Sequence, residues 1–130
     1  MQRILFIAAV YGHLYMTPDN AAVTAGSEIV FNCGSNAKDE FLQWRYSASD
    51  FSISSRIFFQ AVANKSFGDR FSVIAHENRL DLRIVDTHMY DAGSYTCKEP
   101  GTEILSSAEL IVIGKFIHGK IFACLNRQLS

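Results

Sequence analysis

The run Asp91-Ala92-Gly93-Ser94-Tyr95-Thr96-Cys97 is the most distinctive stretch of this 130-residue chain. It places Tyr95 two residues before Cys97, so both side chains fall on the same face of an extended strand. Upstream stand Cys33 and Trp44, and Trp44 is the only tryptophan in the chain. The segments around these residues alternate between apolar and polar side chains, which predicts β-strands on either side of the run.

Short alternating segments separated by turn residues predict an all-β chain. Residues 17–20, which include Pro18, should break the first strand, as in an edge strand that switches sheets. The remaining strands are predicted at 29–33, 41–46, 56–61, 69–76, 79–85, 93–99 and 106–113. The clearest inward faces are Ile29, Phe31 and Cys33; Leu42, Trp44 and Tyr46; and Leu80, Leu82 and Ile84.

The combination of Cys33, Trp44 and the run that ends at Cys97 resembles the immunoglobulin superfamily over residues 14–113. The resemblance implies an immunoglobulin-like β-sandwich of two antiparallel sheets with Greek-key topology. It also implies a Cys33–Cys97 disulfide between the sheets, with Trp44 packed on it. The hydroxyl of Tyr95 is expected to bond back to the upstream backbone. These residues would hold the fold and would not form a functional site.

The long interval between Trp44 and Cys97 resembles the variable (V) type, which has about nine strands. Arg70 and Asp91 are similar to the ion pair of such domains, and Gly93 belongs to the same motif. Antigen receptors open their last strand with a glycine bulge, whereas this chain has Leu105-Ser106-Ser107-Ala108 there. With a short loop at 99–105, the chain therefore resembles adhesion or receptor domains more than antigen receptors.

Composition agrees with one folded domain, because 48% of the residues are hydrophobic and 19% are charged. A net charge of −1 offers no basic stripe for nucleic acid or an anionic membrane. The four histidines, at 13, 76, 88 and 118, are scattered, and none has metal-ligand spacing with another. No nucleophile or phosphate-binding motif occurs. We therefore expect no enzyme activity, no metal and no cofactor.

The first 12 residues are predicted to be a secretory signal peptide, with Arg3 followed by an apolar run at 4–10. An ordinary leading segment is the alternative. The domain would then span 13–114, in a protein that is secreted or lies on the extracellular face of the plasma membrane. The sequence contains no apolar run of transmembrane length. Asn64-Lys65-Ser66 is an acceptor for N-glycosylation.

The tail at 115–130 does not fit the predicted sandwich, which should end near Ile113. Three interpretations remain open. The tail packs on the domain or on a membrane surface, Cys124 forms an intermolecular disulfide that makes a homodimer, or the tail is read-through sequence beyond the domain.

The functional hypothesis concerns the outward face of the sheet that contains the strands predicted at 106–113, 93–99, 41–46 and 56–61, which correspond to strands G, F, C and C′ of the family. Polar and basic side chains around an exposed Phe and Ile are typical of protein-binding patches. The candidates are Gln43, Arg45, one of Phe58 and Phe59, Thr96, Lys98 and Ile111. The partner would be a protein ligand or counter-receptor. The alternatives are an immune-type domain that binds through its loops, a structural spacer in a longer chain, and an ordinary sheet face with stray apolar residues.

Overall fold

The chain is an immunoglobulin-like β-sandwich in which two sheets pack face to face. The computed structural model describes residues 14–36, 41–48, 54–117 and 120–124, with the backbone alone from 115 onward. These residues form twelve strands: β1 Leu14–Met16, β2 Ala21–Thr24, β3 Ile29–Phe31, β4 Gly34–Ser35, β5 Gln43–Ser47, β6 Ser54–Phe59, β7 Val62–Ala63, β8 Phe71–His76, β9 Arg79–Ile84, β10 Gly93–Lys98, β11 Leu105–Ile117 and β12 Lys120–Cys124.

Strand order divides the fold into a five-stranded and a seven-stranded sheet. The five-stranded sheet has the order β1-β4-β9-β3, with β8 paired to β9. The seven-stranded sheet has the order β12-β11-β10-β5-β6-β7, with β2 paired to β11. Short 3-10 turns at Lys65–Phe67 and Met89–Asp91 precede β8 and β10. The predicted all-β sandwich is confirmed.

The first strand switches sheets, as its break at 17–20 predicted. β1 pairs antiparallel with β4 in the five-stranded sheet, whereas β2 pairs parallel with β11 in the seven-stranded sheet. Pro18, which has no N–H to give to a ladder, is buried in the connection.

The second predicted strand is divided into β3 and β4 at Cys33. Its backbone N–H donates to the Asp81 carboxylate at 3.1 Å instead of to a neighbouring strand, while its carbonyl accepts from the Leu80 N–H. A side chain from β9 therefore replaces one ladder bond. This division, the divided first strand and β12 raise the expected nine strands to twelve.

The core lies between the sheets around the disulfide. Cys33 and Cys97 are bonded and fully buried, which confirms the bridge. The Phe31 ring stacks on Tyr95 with centroids 5.3 Å apart and lies 6.3 Å from Trp44. The Trp44 Nε1–H donates to the Leu80 carbonyl at 2.7 Å, so the one polar atom of the indole is satisfied.

The predicted end of the last strand near Ile113 is wrong. β11 continues to Ile117, and β12 returns antiparallel to it, with Val112 opposite Cys124 and Phe116 opposite Ile121. The tail thus adds a strand to the seven-stranded sheet through its backbone. The Cys124 side chain and the predicted signal peptide lie outside the described part of the structure.

Candidate functional site

The outward face of the seven-stranded sheet is organised into rows by its strand register. One row lies at the end where the connections at 60–61 and 99–104 turn, and we call it the loop-end row. Its members, in order across the strands, are Leu105, Lys98, Gln43, Phe59 and Val62. The next row is Ser107, Thr96, Arg45 and Arg56. Trp44, Tyr95 and Cys97 alternate with these residues and point into the core.

A β-bulge in β6 decides which phenylalanine belongs to this face. Trp44 lies opposite Phe58 and Arg45 lies opposite Arg56, so Ile57 is the extra residue. Ile57 and Phe58 are therefore both buried, and Phe58 is only 5% exposed. Phe59, opposite Gln43, points outward. Phe58 is thus corrected from a candidate binding residue to a core residue.

Exposed apolar side chains gather at the two ends of the loop-end row. Leu105 and Val62 are 51% and 64% exposed. Phe41, which directly precedes the buried Leu42, is 51% exposed and meets the half-buried Phe59 edge-on at 6.0 Å between ring centroids. The apolar side chains of Phe41, Phe59 and Val62 therefore lie together at one end of the row, and Leu105 lies at the other end.

Ile111 lies apart from the other candidates. It belongs to the part of β11 that pairs with β2, where it is opposite Ala22. At ~3.3 Å per residue, it is about 20 Å along the strand from Leu105. The structure therefore brings together Gln43, Arg45, Phe59, Thr96 and Lys98, and it does not bring Ile111 to them.

Arg45 is held flat across the sheet by its neighbours. Its Nε and Nη2 donate to the Ser54 hydroxyl and carbonyl at 2.7 and 2.6 Å, and its Nη1 donates to Gln43 Oε1 at 3.1 Å. Arg56 lies directly opposite it on β6 and is exposed. The Thr96 and Ser107 hydroxyls are hydrogen-bonded at 2.6 Å in the same row.

The loop between β10 and β11 is held by hydrogen bonds within the loop and by a hydrogen bond to a buried residue of the other sheet. Gly101 turns it with a φ of 82°, and the Thr102 hydroxyl donates to the Glu99 carbonyl at 2.8 Å. The Glu99 side chain is buried and accepts from the Ser35 hydroxyl at 2.7 Å. Sequence analysis missed this link, because Ser35 lies in β4 whereas Glu99 follows β10 of the other sheet, and no local pattern marks either residue.

The Arg70–Asp91 ion pair is present and bidentate, with Nη1–Oδ2 and Nη2–Oδ1 distances of 2.7 and 2.9 Å. Its hydrogen bonds and the nearby Asp91 charge raise the Arg70 pKa. The Tyr95 hydroxyl donates to the Asp91 carbonyl at 2.5 Å, and burial raises the pKa of Tyr95 strongly. At Gly93, a Cβ would lie 2.6 Å from the Tyr46 ring, so a side chain has no room.

The amide of Asn64, the predicted glycosylation site, makes two hydrogen bonds. Its Oδ1 accepts from the Ser66 N–H at 3.1 Å and its Nδ2 donates to the Arg56 carbonyl at 2.8 Å. The side chain caps the turn at 65–67 while Lys65 and Ser66 are exposed. Glycosylation at this position remains a prediction.

In the described ranges, no three His, Cys, Asp or Glu side chains are grouped as metal ligands would be. The same residues contain no helix with the length and apolarity needed to span a bilayer. A scan against protein-family models finds no match, and a search of curated proteins also finds none.

Proposed function

We propose that this chain is a variable-type immunoglobulin-like domain that recognises a protein partner through the outward face of its seven-stranded sheet. The variable type is supported by β6 and β7, which lie between β5 and β8 where the constant type has no such pair. The Arg70–Asp91 pair supports the same type.

The observation that carries the proposal is the loop-end row with Phe41 beside it. Exposed apolar side chains at adjoining positions, rimmed by basic ones, have the composition of protein-binding patches. A structural spacer has no need of such a row. The compact loop at 99–104 also favours binding by the sheet face over binding by long, shaped loops.

An extracellular setting follows from the same proposal. The buried Cys33–Cys97 bond persists only in an oxidising compartment. The predicted signal peptide and the predicted glycosylation site agree with secretion or display at the cell surface.

A cell-surface screen tests the proposed function. The full chain is expressed through a secretory route, assembled as a soluble tetramer so that avidity reveals weak contacts, and presented to cells that display single membrane proteins. We expect binding to at least one of them, and loss of that binding in Phe59→Ser.

Ile74→Ser is the matched control, because Ile74 is an exposed apolar residue on the five-stranded sheet. It should bind as the wild type does. Binding that survives Phe59→Ser, or that falls equally in both variants, would remove the proposed face.

A further inference from the structure

The arginines of the described residues fall into two groups. Three have a carboxylate partner: Arg70 with Asp91, Arg79 with Asp81, and Arg83 with Glu28. Arg45 and Arg56 have no carboxylate within 4.0 Å among the residues that the structure describes. Both of these lie on the outward face of the seven-stranded sheet, whereas Arg79 and Arg83 lie on the five-stranded sheet.

These two arginines and Lys98 form a cationic cluster. Arg45 and Arg56 are directly opposite each other in the strand register, and Lys98 lies in the adjoining loop-end row. Like charges placed opposite each other on paired strands destabilise the pair. The chain as a whole has a net charge of −1, so an overall excess of basic residues does not explain the cluster.

We infer that this face docks a protein segment in which carboxylates flank an apolar side chain. The inference rests on the proposed function and adds the chemistry of the partner. Carboxylates would complement Arg45, Arg56 and Lys98, and an apolar side chain would lie against Phe59 and its neighbour Phe41.

Two other occupants fit the face less well. A second copy docked through the same cluster would set three cations against three cations. A sulfated polysaccharide would satisfy the charges but would bring no apolar group to lie against Phe41, Phe59 and Val62. The proposal therefore commits to an acidic and partly apolar protein segment.

Peptide selection provides the test. A phage-displayed library of random dodecapeptides is panned against the immobilised full chain, and enriched peptides are synthesised for affinity measurements. We expect enriched peptides to carry two or more Asp or Glu beside an aromatic or aliphatic residue. Their affinity should fall about tenfold in Arg56→Glu and in Lys98→Glu, and should weaken as salt is raised.

Lys65→Glu is the matched control, because it makes the same change of charge at an exposed lysine in the turn at 65–67. It should leave peptide affinity unchanged. The inference would be overturned if the enriched peptides carried no excess of Asp and Glu. It would also be overturned if peptide affinity fell equally in Lys65→Glu and Lys98→Glu.

The remaining outcomes separate this inference from the proposed function. Peptide binding that is lost in Phe59→Ser but kept in both charge reversals overturns the acidic partner and leaves the proposed face standing. If the chain is retained on immobilised heparin at physiological salt and panning enriches no acidic peptides, the inference is overturned in favour of a polyanion. If the chain self-associates in sedimentation and Lys98→Glu abolishes that self-association, it is overturned in favour of a second copy. Failure of both peptide selection and the cell-surface screen overturns both proposals.

Discussion

At the scale of single residues, Asp91 joins several separate parts of the fold. Its carboxylate binds Arg70 and also accepts from the His88 N–H at 2.7 Å, while its carbonyl accepts from the Tyr95 hydroxyl. Arg70 additionally donates to the Asp86 carbonyl at 3.0 Å. The carboxylate is buried, so removing one of these donors would leave it short of a partner away from water.

Removal of the Arg70 guanidinium should therefore cost more than the loss of a surface ion pair. We expect Arg70→Ala to lower the free energy of unfolding by about 2–4 kcal/mol, because a buried carboxylate loses its cation. The melting temperature should fall by several degrees or more. Binding to the partner in the cell-surface screen should be unchanged when the screen is run well below that melting temperature. Thermal and denaturant unfolding measure the change.

Arg83→Ala is the control for this prediction, because Arg83 pairs with Glu28 where both side chains are exposed. An exposed ion pair contributes little to stability because water screens it, so the loss of this one should be small. If the two variants lost the same free energy of unfolding, the burial of Asp91 would not make the Arg70–Asp91 pair more important for stability than an exposed pair.

At the scale of the strand, alternation predicted the inward faces of β5 and β9, because their apolar side chains recur at every second residue. The same rule could not choose between Phe58 and Phe59, because a bulge shifts the period by one residue and leaves Ile57 and Phe58 on the same side. The division of β3 from β4 was equally hidden, since it depends on Asp81 from a strand distant in sequence.

The bulge makes two neighbouring phenylalanines differ sharply in their response to one substitution. Phe58→Ser should lower the free energy of unfolding by about 3–5 kcal/mol, because it empties a buried aromatic site and adds a hydroxyl there. Phe59→Ser should cost about 1 kcal/mol or less, since Phe59 loses mainly its edge contact with Phe41. Urea unfolding of both variants checks this order, and the reverse order would place the bulge elsewhere.

At the scale of the whole molecule, one covalent bond joins the two sheets at the centre of the core. Cys33 lies between β3 and β4 of the five-stranded sheet, and Cys97 lies in β10 of the seven-stranded sheet. The family resemblance predicted this bond from the frame of Cys33, Trp44 and Cys97. It could not predict that the sheet would gain β12, because the tail carries no alternation that marks a strand.

The burial of the bridge sets how the folded protein should respond to a reducing environment. Both cysteines of the bridge are 0% exposed, so a thiol reductant should reach the bond only after the sheets separate. We expect the bridge thiols to become reactive at the rate of global unfolding, which the fluorescence of Trp44, the only tryptophan, reports independently. Maleimide labelling followed by mass spectrometry measures the rate at which the bridge thiols become reactive. The experiment is done in the Cys124→Ala variant, so that only the two bridge thiols are labelled.

Once reduced, the chain should be less stable by about 4 kcal/mol, because the bridge closes a loop of 64 residues in the unfolded state. Cys33→Ala/Cys97→Ala should reproduce that loss in denaturant unfolding. A loss of this size is a large part of the ~5–15 kcal/mol that holds a typical domain folded, which is why oxidising surroundings suit this protein. Bridge labelling faster than the change in Trp44 fluorescence would mean that the sheets open locally around the disulfide.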